Sequence, residues 1–436
     1  MTYPANHSLN RLTGRIELTA QLMHEYGASA SDIEEVLATV ARTLASAADS
    51  LQNLPVDQEQ SSREPNDLPG ILALRPAGPR KIWRSLDEST YRERLMGALL
   101  GRIAGCTLGA PVEGWPIERM QNLARENGQA YPPTDYWTHV PDPYALRYQL
   151  SPREAYTRDG LHGVPVDDDI AYTLLGLLVV EDYGPQFSIE ENGKAWLKYL
   201  PYACTAEDVA LNNLKAGITA TQSGAVDNPF CEWIGADIRS DPWAYMAPGW
   251  PEKAAQMAYN DAFLSHRRQG IYGEMYFAAV IAAAFTVDDP VEALEIGLSE
   301  IPAQCRLARE LRWALDIAPQ ITDYRAARNA VDKRFEGMHR VHTINNACLT
   351  VWGITIGGTD FTKVIAETIA MGLDNDCTGA TAGSIVGAVV GASGIPQHWT
   401  RGFENTVYSY LIDHPKFQIS DLIDRFTRQA GRVFES

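Results

Sequence analysis

The stretch DNDCTGATAGSIVGAVVGASGIP, residues 374–396, places two aspartates directly before a run of small residues with helical character. The stretch VDDDIAYTLLGL, residues 166–177, likewise places three consecutive aspartates before an apolar helical stripe. Carboxylates at a helix N-terminus are favoured by the helix dipole, so each cluster has an ordinary interpretation as a helix cap. However, adjacent carboxylates repel one another and raise one another's pKa unless a cation neutralises them. The spacing therefore leaves two interpretations open, a shared metal site or two unrelated caps.

The residue types in the two clusters indicate which metal would bind. Neither cluster contains a histidine, and Cys377 is a lone thiol beside the second one. Oxygen ligands suit hard cations such as Mg²⁺, Mn²⁺ or Ca²⁺, and not zinc. Four or five carboxylates are enough to hold two ions, with a bridging water as the nucleophile. The metal interpretation therefore predicts a two-metal hydrolase.

Apolar residues outside these clusters repeat with helical spacing, and sustained strand alternation is absent from the sequence. Stripes of this kind run through residues 96–104, 170–178 and 361–369, and residues 276–285 are apolar on all sides. A helix that is apolar all round is buried. The pattern predicts an all-α fold, compact and built from many helices, with residues 276–285 in a central helix.

The N-terminal region differs from the rest of the chain. The sequence predicts one helix over about residues 14–26 and an amphipathic helix that begins near Ser31. Five prolines and a polar stretch follow, which indicates a linker or a loosely packed strap. We expect two parts: residues 1–85, a helical N-terminal extension with a Pro-rich linker, and residues 86–436, the main domain.

Composition and charge exclude several classes of protein. Of the 436 residues, 45% are hydrophobic and 21% are charged, which is ordinary for a globular protein and excludes wholesale disorder. The net charge of −18 repels phosphate groups, so we expect neither a nucleic-acid partner nor a membrane partner. The sequence shows no signal-peptide pattern, and its six cysteines are spread without a CxxC pair. We expect a cytoplasmic protein with reduced thiols.

A third motif, GALLGRIAGCTLGAPVEG at residues 97–114, precedes the two aspartate motifs. The three motifs, in this order and with wide separation, resemble those of the ADP-ribosylglycohydrolase family. The resemblance covers about residue 87 to the C-terminus. It implies a compact all-α domain with a centre for two divalent cations, Mg²⁺ or Mn²⁺. It also implies hydrolysis of the glycosidic bond at C1″ of an ADP-ribosyl group, so the expected partner is an ADP-ribosylated protein or a small ADP-ribosyl or ribosyl compound.

The resemblance implies a set of metal ligands. Asp168 and Asp169 fall on the first metal pair of the family, with Asp167 at a position that is usually threonine. A one-residue shift would place Asp167 and Asp168 on that pair instead, although the apolar register of the following helix favours the first alignment. Asp374 and Asp376 fall on the second pair. The expected metal ligands are Asp167, Asp168, Asp169, Asp374, Asp376 and Thr378.

The resemblance also implies catalytic residues, and it includes two departures. Glu113 falls on a glutamate that, in some members, contacts a metal or acts at the scissile bond. The expected catalytic residues are Glu113, Asp168 and Asp376. Cys106 stands where the opening motif usually has aspartate, and Cys377 stands where the closing motif has a metal-contacting threonine. Thr378 follows Cys377 and would replace that threonine only if the loop shifts.

Five residues are predicted to bind substrate. Besides Glu113, these are Tyr272 and Gly273, which lie where a loop of the family touches the distal ribose and diphosphate, and the polar pair Asn345 and Asn346. Each position has an ordinary structural alternative. The stretch around Gly273 also fits a tight turn, and the two asparagines also fit a capped helix whose buried amides bond to the core.

Two other functions remain open at this point. One is the hydrolysis of a different ribosyl compound, such as a nucleoside, which the two cysteine departures and the asparagine pair motivate. The other is a non-catalytic family member with a binding or structural role. The sequence leaves open the acceptor linkage (arginine, serine or a small molecule), the effect of Cys106 and Cys377 on the metal site, the role of residues 1–85 and the oligomeric state.

Overall fold

The computed structural model describes residues 7–141 and 151–435. The predicted all-α class is confirmed, since 66% of the protein is helical and 2% is in strands. The helices are α1 (His7–Glu25), α2 (Ala30–Gln52), α3 (Gln58–Ser62), α4 (Leu68–Leu74), α5 (Glu88–Gly109), α6 (Ile117–Glu126), α7 (Asp168–Tyr183), α8 (Ile189–Tyr199), α9 (Thr205–Lys215), α10 (Ala220–Ser223), α11 (Asp241–Met246), α12 (Pro251–Ala262), α13 (Gln269–Ala284), α14 (Pro290–Gly297), α15 (Arg306–Ile317), α16 (Tyr324–Arg334), α17 (Thr343–Gly357), α18 (Phe361–Ala370), α19 (Asn375–Val390) and α20 (Ile419–Glu435). Two short antiparallel strands, β1 (Thr406–Tyr408) and β2 (Lys416–Gln418), pair with Val407 opposite Phe417.

The chain forms two compact units, Met1–Ser62 and Arg63–Ser436. The first unit contains the two long helices that the sequence predicts, although α1 begins at His7, earlier than the predicted start near residue 14. The second unit includes the Pro-rich stretch after Ser62, where Arg75 pairs with Glu252 at 2.5 Å and with Glu300 at 2.6 Å. The structural division thus lies upstream of residue 85, and the domain boundary proposed from sequence stays a prediction.

The centre of the larger unit is an antiparallel pair of helices, α5 and α19, that touch through their backbones. Both carry glycine at every fourth position, so that Gly97, Gly101 and Gly105 of α5 face Gly387, Gly383 and Gly379 of α19. A β-carbon on any glycine of the α5 set would overlap the carbonyl oxygen of its partner. Glycine is therefore required here for close approach of the two backbones. The contact fixes the N-terminal end of α19 against the C-terminal end of α5.

Helix α13 is the buried central helix that the sequence predicts. All sixteen of its residues are buried. It begins at Gln269, earlier than the apolar run at residues 276–285 indicates. The side-chain oxygen of Gln269 accepts a hydrogen bond from the Leu307 amide at 2.9 Å, which ties the start of α13 to α15.

One helical stretch, Glu88–Val112, is long and apolar enough to cross a membrane by length and composition. In the structure, 89% of its most apolar window is buried inside the protein. Its apolar character is accounted for by its place in the core, where α5 packs on α19.

Candidate metal centre

The triple-aspartate motif lies at the start of α7. The Asp167 carboxylate accepts a hydrogen bond from the Asp169 amide at 3.0 Å and caps the helix. Asp168 and Asp169 follow in the first turn and are buried, with 5% and 0% of their surface exposed. Of the three aspartates, only Asp167 therefore acts as the helix cap. The other two place carboxylates in the protein interior.

The second acidic motif lies in a strained turn before α19. Gly372 and Leu373 both have positive φ angles, 72° and 63°, and a positive φ is unfavourable for leucine. The Leu373 carbonyl accepts a hydrogen bond from the Gly114 amide at 3.0 Å. The Asp374 amide donates to Oδ1 of Asn346 at 3.2 Å. These two bonds hold the turn next to the segment that carries Glu113.

The structure brings the acidic motifs together. Ligand oxygens of Glu113, Asp374 and Asp376 lie within 4.8 Å of one another. The same limit holds for Asp169, Asp376 and the Cys377 sulfur, and for Asp167, Asp168 and Asp169. Since Asp376 belongs to two of these groups and Asp169 to two, the three groups form one continuous cluster. Residues about two hundred positions apart in sequence thus share one site. We name these seven residues the acidic cluster: Glu113, Asp167, Asp168, Asp169, Asp374, Asp376 and Cys377.

A buried arginine orients one member of the acidic cluster. Arg102 donates to the Asp169 carbonyl at 2.7 Å and lies 3.4 Å from its carboxylate. It also donates to Asp241 at 2.6 Å and to Thr173 at 2.8 Å. Because Arg102 is shared with Asp241, it neutralises only part of the cluster's charge. Sequence reasoning missed this residue, although a single arginine among the apolar and glycine positions of α5 is a detectable signal.

Two carboxylate oxygens in the cluster are left without partners. Oδ1 of Asp374 and Oδ1 of Asp376 are buried and accept no hydrogen bond from the described residues. Burial, followed by repulsion from Glu113 and Asp374, raises the pKa of Asp376 well above its usual value. Burial also raises the pKa of Asp169, although Arg102 opposes this effect. Buried anionic oxygens without donors are costly unless a cation compensates them, so the donor set fits divalent cations.

A cavity of about 310 Å³ opens onto the acidic cluster. Trp233 forms part of its wall and stacks on the His339 ring, with centroids 4.1 Å apart and planes 7° apart. Glu207 forms another part, and burial raises the pKa of its carboxyl to about 7 although Arg239 opposes the rise. The lining comprises Asp168, Tyr172, Ala203, Cys204, Thr205, Glu207, Asp208, Trp233, Ile234, Gly235, Ile238, Val341, Asp374 and Cys377. Sequence reasoning did not identify Trp233 or Glu207, because no motif marks them.

Comparison with known proteins agrees with this geometry. The family model described as ADP-ribosylglycohydrolase matches residues 87–433. The chain belongs to the ADP-ribosylglycohydrolase family. It is 25% identical over 322 residues to an uncharacterised protein of Archaeoglobus fulgidus, a match that covers 72% of this chain and 92% of the relative. It also shares the fold of a solved structure described as an ADP-ribosylglycohydrolase-related protein complex, with a TM-score of 0.51, 19% identity and coverage of 80% of this chain and 99% of that one.

Cys377 and Thr378, where this chain departs from the family's closing motif, make different contacts in the structure. The Thr378 hydroxyl donates to the Asp374 carbonyl at 3.1 Å, inside its own helix. The preceding residue, Cys377, lies in the acidic cluster and donates its thiol to Oδ2 of Asp169 at 3.1 Å. Cys377 thus lies in the acidic cluster, and the metal-ligand role expected for Thr378 stays a prediction. Burial and the adjacent carboxylates raise the pKa of the Cys377 thiol well above its usual value, which keeps it a neutral donor.

The expected substrate residues Tyr272 and Gly273 do not line the cavity. Both lie in the first turns of α13 and are buried. The Tyr272 hydroxyl donates to the Pro65 carbonyl at 2.5 Å, and a β-carbon on Gly273 would overlap the Asp237 carboxylate. Residues 270–273, which also fit a tight turn by sequence, are helical in the structure, where α13 already begins at Gln269. These two residues position neighbouring segments, and the substrate role expected for them stays a prediction.

Asn345 and Asn346 make the hydrogen bonds that the structural alternative predicts, and their expected role in substrate binding stays a prediction. The side-chain amide of Asn345 donates to the His339 carbonyl at 3.0 Å, and the side-chain amide of Asn346 donates to the Arg340 carbonyl at 2.8 Å. Oδ1 of Asn346 accepts from the Asp374 amide, as described above. The pair therefore holds the turn before α17 and positions one member of the acidic cluster. Neither residue lines the cavity.

Divalent cations are expected to stabilise this family member more strongly at high pH. Burial raises the pKa of Asp376 in the folded protein well above the ordinary value of 3.8 that it has in the unfolded chain. The protonated carboxyl therefore stabilises the fold fully below pH 3.8, and this stabilisation is lost as the pH rises through the pKa of the folded protein. A cation compensates the ionised carboxylates and competes with protons for them. We expect Mg²⁺ or Mn²⁺ to raise Tm more at about pH 8 than at about pH 5.5. Differential scanning calorimetry of chelator-treated protein measures both shifts.

Monovalent salt at equal ionic strength is the control for this measurement, because it screens surface charge without coordinating carboxylates. Equal shifts from NaCl and MgCl₂, or an equal magnesium shift at both pH values, would contradict cation binding at the acidic cluster.

Proposed function

We propose that this protein is a metal-dependent hydrolase that cleaves the glycosidic bond at the anomeric carbon of an ADP-ribosyl group. The observation that carries the proposal is the sharing of Asp376 between the Glu113 group and the Asp169–Cys377 group of the acidic cluster. Membership in a hydrolase-like family supports the same reaction class. The substrate is proposed to be an ADP-ribosylated protein or a small ADP-ribosyl compound.

The residues of the acidic cluster and their neighbours have separate proposed roles in this reaction. Asp167, Asp168, Asp169, Asp374 and Asp376 are the residues that would hold two divalent cations, Mg²⁺ or Mn²⁺. When bound, the cations supply positive charge that orients the ribose hydroxyls and lowers the pKa of a water molecule. Arg102 fixes Asp169, and the Asn346 bond fixes Asp374, so both carboxylates are preorganised.

Proton transfer is assigned to Glu113 or to Asp168 or Asp376. Glu113 is only partly buried, so it exchanges protons with solvent more readily than the fully buried members of the cluster. In the overall reaction, the bond between C1″ and the acceptor atom breaks, and the water oxygen bonds to C1″. The acceptor atom leaves with a proton, and Glu113 or an aspartate carries that proton between water and leaving group.

A second candidate reaction is hydrolysis of a smaller ribosyl compound, such as a nucleoside. The cavity volume of about 310 Å³ is at the lower end for ligand sites. Among its described lining residues there is no lysine or arginine to pair with a diphosphate. These observations favour a substrate without phosphate groups, whereas family membership favours ADP-ribose.

A substrate panel tests both reactions. The protein is assayed with Mg²⁺ and with Mn²⁺ against ADP-ribosyl-arginine peptide, ADP-ribosyl-serine peptide and simple nucleosides, with release of ADP-ribose or ribose as the readout. We expect cation-dependent release of ADP-ribose from a peptide. Release of ribose from nucleosides alone would establish the second reaction. Absence of turnover on all substrates, in protein that binds the cations, would contradict both and favour a non-catalytic family member.

A further inference from the structure

The acidic cluster contains two groups of ligand atoms that differ in chemistry. The group of Glu113, Asp374 and Asp376 offers oxygen alone, whereas the group of Asp169, Asp376 and Cys377 offers two carboxylates and one sulfur. In each group the ligand atoms lie within 4.8 Å of one another, and Asp376 is common to both. The cluster therefore presents an all-oxygen position and a mixed oxygen–sulfur position that share one carboxylate.

The Cys377 sulfur is placed as a ligand atom would be. It lies 3.1 Å from Oδ2 of Asp169, whose other oxygen, Oδ1, faces Arg102 at 3.4 Å. A sulfur and an oxygen bound to one tetrahedral Zn²⁺ lie roughly 3.6 Å apart, given bond lengths of about 2.3 Å and about 2.1 Å. The separation in the structure is set by a hydrogen bond and is slightly shorter, so little movement admits a cation. Cys377 also lines the cavity, which provides a path to the sulfur.

A carboxylate of the same group lacks a positive partner. Asp376 is 2% exposed, and its Oδ1 accepts no hydrogen bond from the described residues. The thiol of Cys377 has one proton and donates it to Asp169. A buried carboxylate oxygen without a donor is costly unless a cation compensates it. The mixed group thus combines a sulfur atom with an unmet requirement for positive charge.

We propose that the group of Asp169, Asp376 and Cys377 binds a borderline-soft divalent cation such as Zn²⁺ through the Cys377 thiolate, whereas the all-oxygen group binds Mg²⁺ or Mn²⁺. Thiolate ligands select zinc, and carboxylates alone suit magnesium and manganese. As the sulfur–metal bond forms, the S–H bond breaks and its proton passes to solvent, because a coordinating thiol is deprotonated. The inference rests on the cation binding in the proposed function and does not depend on the reaction.

Titration of chelator-treated protein with Co²⁺, a spectroscopic substitute for Zn²⁺, tests the sulfur ligand. We expect a cobalt–thiolate charge-transfer band in the near ultraviolet that persists in excess Mg²⁺. Cys377→Ser should abolish this band and weaken Co²⁺ binding by about tenfold or more, since loss of even an outer partner of a ligand costs roughly 10–100-fold in metal affinity. Calorimetry should find the Mg²⁺ affinity of this variant little changed, which also shows that the variant is folded.

Cys106→Ser and Cys204→Ser are the matched controls. Cys106 is buried beside Asp167, and Cys204 lines the cavity, but neither belongs to a ligand group of the acidic cluster. Both variants should keep the band. A band that survives Cys377→Ser, or Co²⁺ binding to the wild type without a band, would overturn this inference and leave the hydrolase proposal in place. Failure of Mg²⁺, Mn²⁺ and Co²⁺ alike to bind would refute the cation centre and with it both proposals.

Discussion

Substitution of Asp168 or Asp376 with alanine is expected to lower kcat/KM by about 10²–10³-fold, which is the scale for removal of a preorganised electrostatic group. Both side chains are buried in the acidic cluster, and Asp376 joins two of its three groups. Each substitution therefore removes a proposed cation ligand, and for Asp376 it also removes the residue that joins the Glu113 group to the Asp169 group. Steady-state hydrolysis of the best substrate at saturating Mg²⁺ or Mn²⁺ measures the loss.

The stability of an Asp376 variant distinguishes a functional site from a structural one. Oδ1 of Asp376 is buried without a hydrogen-bond partner among the described residues, so its charge destabilises the cation-free protein. Asp376→Asn removes the charge at nearly constant volume. We expect this variant to be at least as stable as the wild type without cations and to lose most of the Tm increase that cations produce. Functional sites commonly reduce stability in this way.

Asp288→Ala provides the matched control. Asp288 pairs with Arg94 at 3.2 Å, and its side chain is fully exposed. Its removal should change neither kcat/KM nor the cation-induced Tm shift. Full turnover by the Asp168 and Asp376 variants at saturating cation would refute the assignment of the acidic cluster as the reaction centre.

The sequence predicts the helical class from local periodicity, whereas the pairing of the aspartate motifs is predicted from their resemblance to the ADP-ribosylglycohydrolase family. Helical periodicity marks α7 and α18, and motif order links Asp168 to Asp376 across the chain. Tyr272 illustrates the limit. Its glycine-flanked neighbourhood predicts a turn, but burial of the whole segment overrides local propensity and extends α13 to Gln269.

Other features of the site depend on contacts that no local pattern encodes. Trp233 reaches the cavity from a segment without a motif, and Arg102 acts through partners on three different segments. The backbone contact of α5 with α19, in contrast, does have a signal in the sequence, because glycine recurs at every fourth position of both helices. That signal indicates close helix packing, but it does not identify the partner helix.

Replacement of Gly101 with alanine is expected to destabilise the larger unit by about 3 kcal/mol or more, beyond the usual range for adding one methyl group to a core. The added β-carbon would overlap the Gly383 carbonyl oxygen and approach its carbonyl carbon. Backbone atoms cannot rotate away as a flexible side chain does, so α5 and α19 must separate along their length. Separation also moves Gly109 away from Asp376, whose backbone it contacts at the end of the same interface. Urea unfolding measures the loss in the free energy of unfolding.

Gly431→Ala is the control that isolates the backbone contact. Gly431 lies within α20, and a β-carbon there would meet no atom within 4 Å. Alanine is the better helix former by roughly 0.5–1 kcal/mol, so this variant should be slightly more stable than the wild type. The same chemical change is thus expected to have opposite signs at two helical glycines. If Gly101→Ala proves as harmless as Gly431→Ala, the α5–α19 contact is looser than described, and it would not hold Asp376 in place.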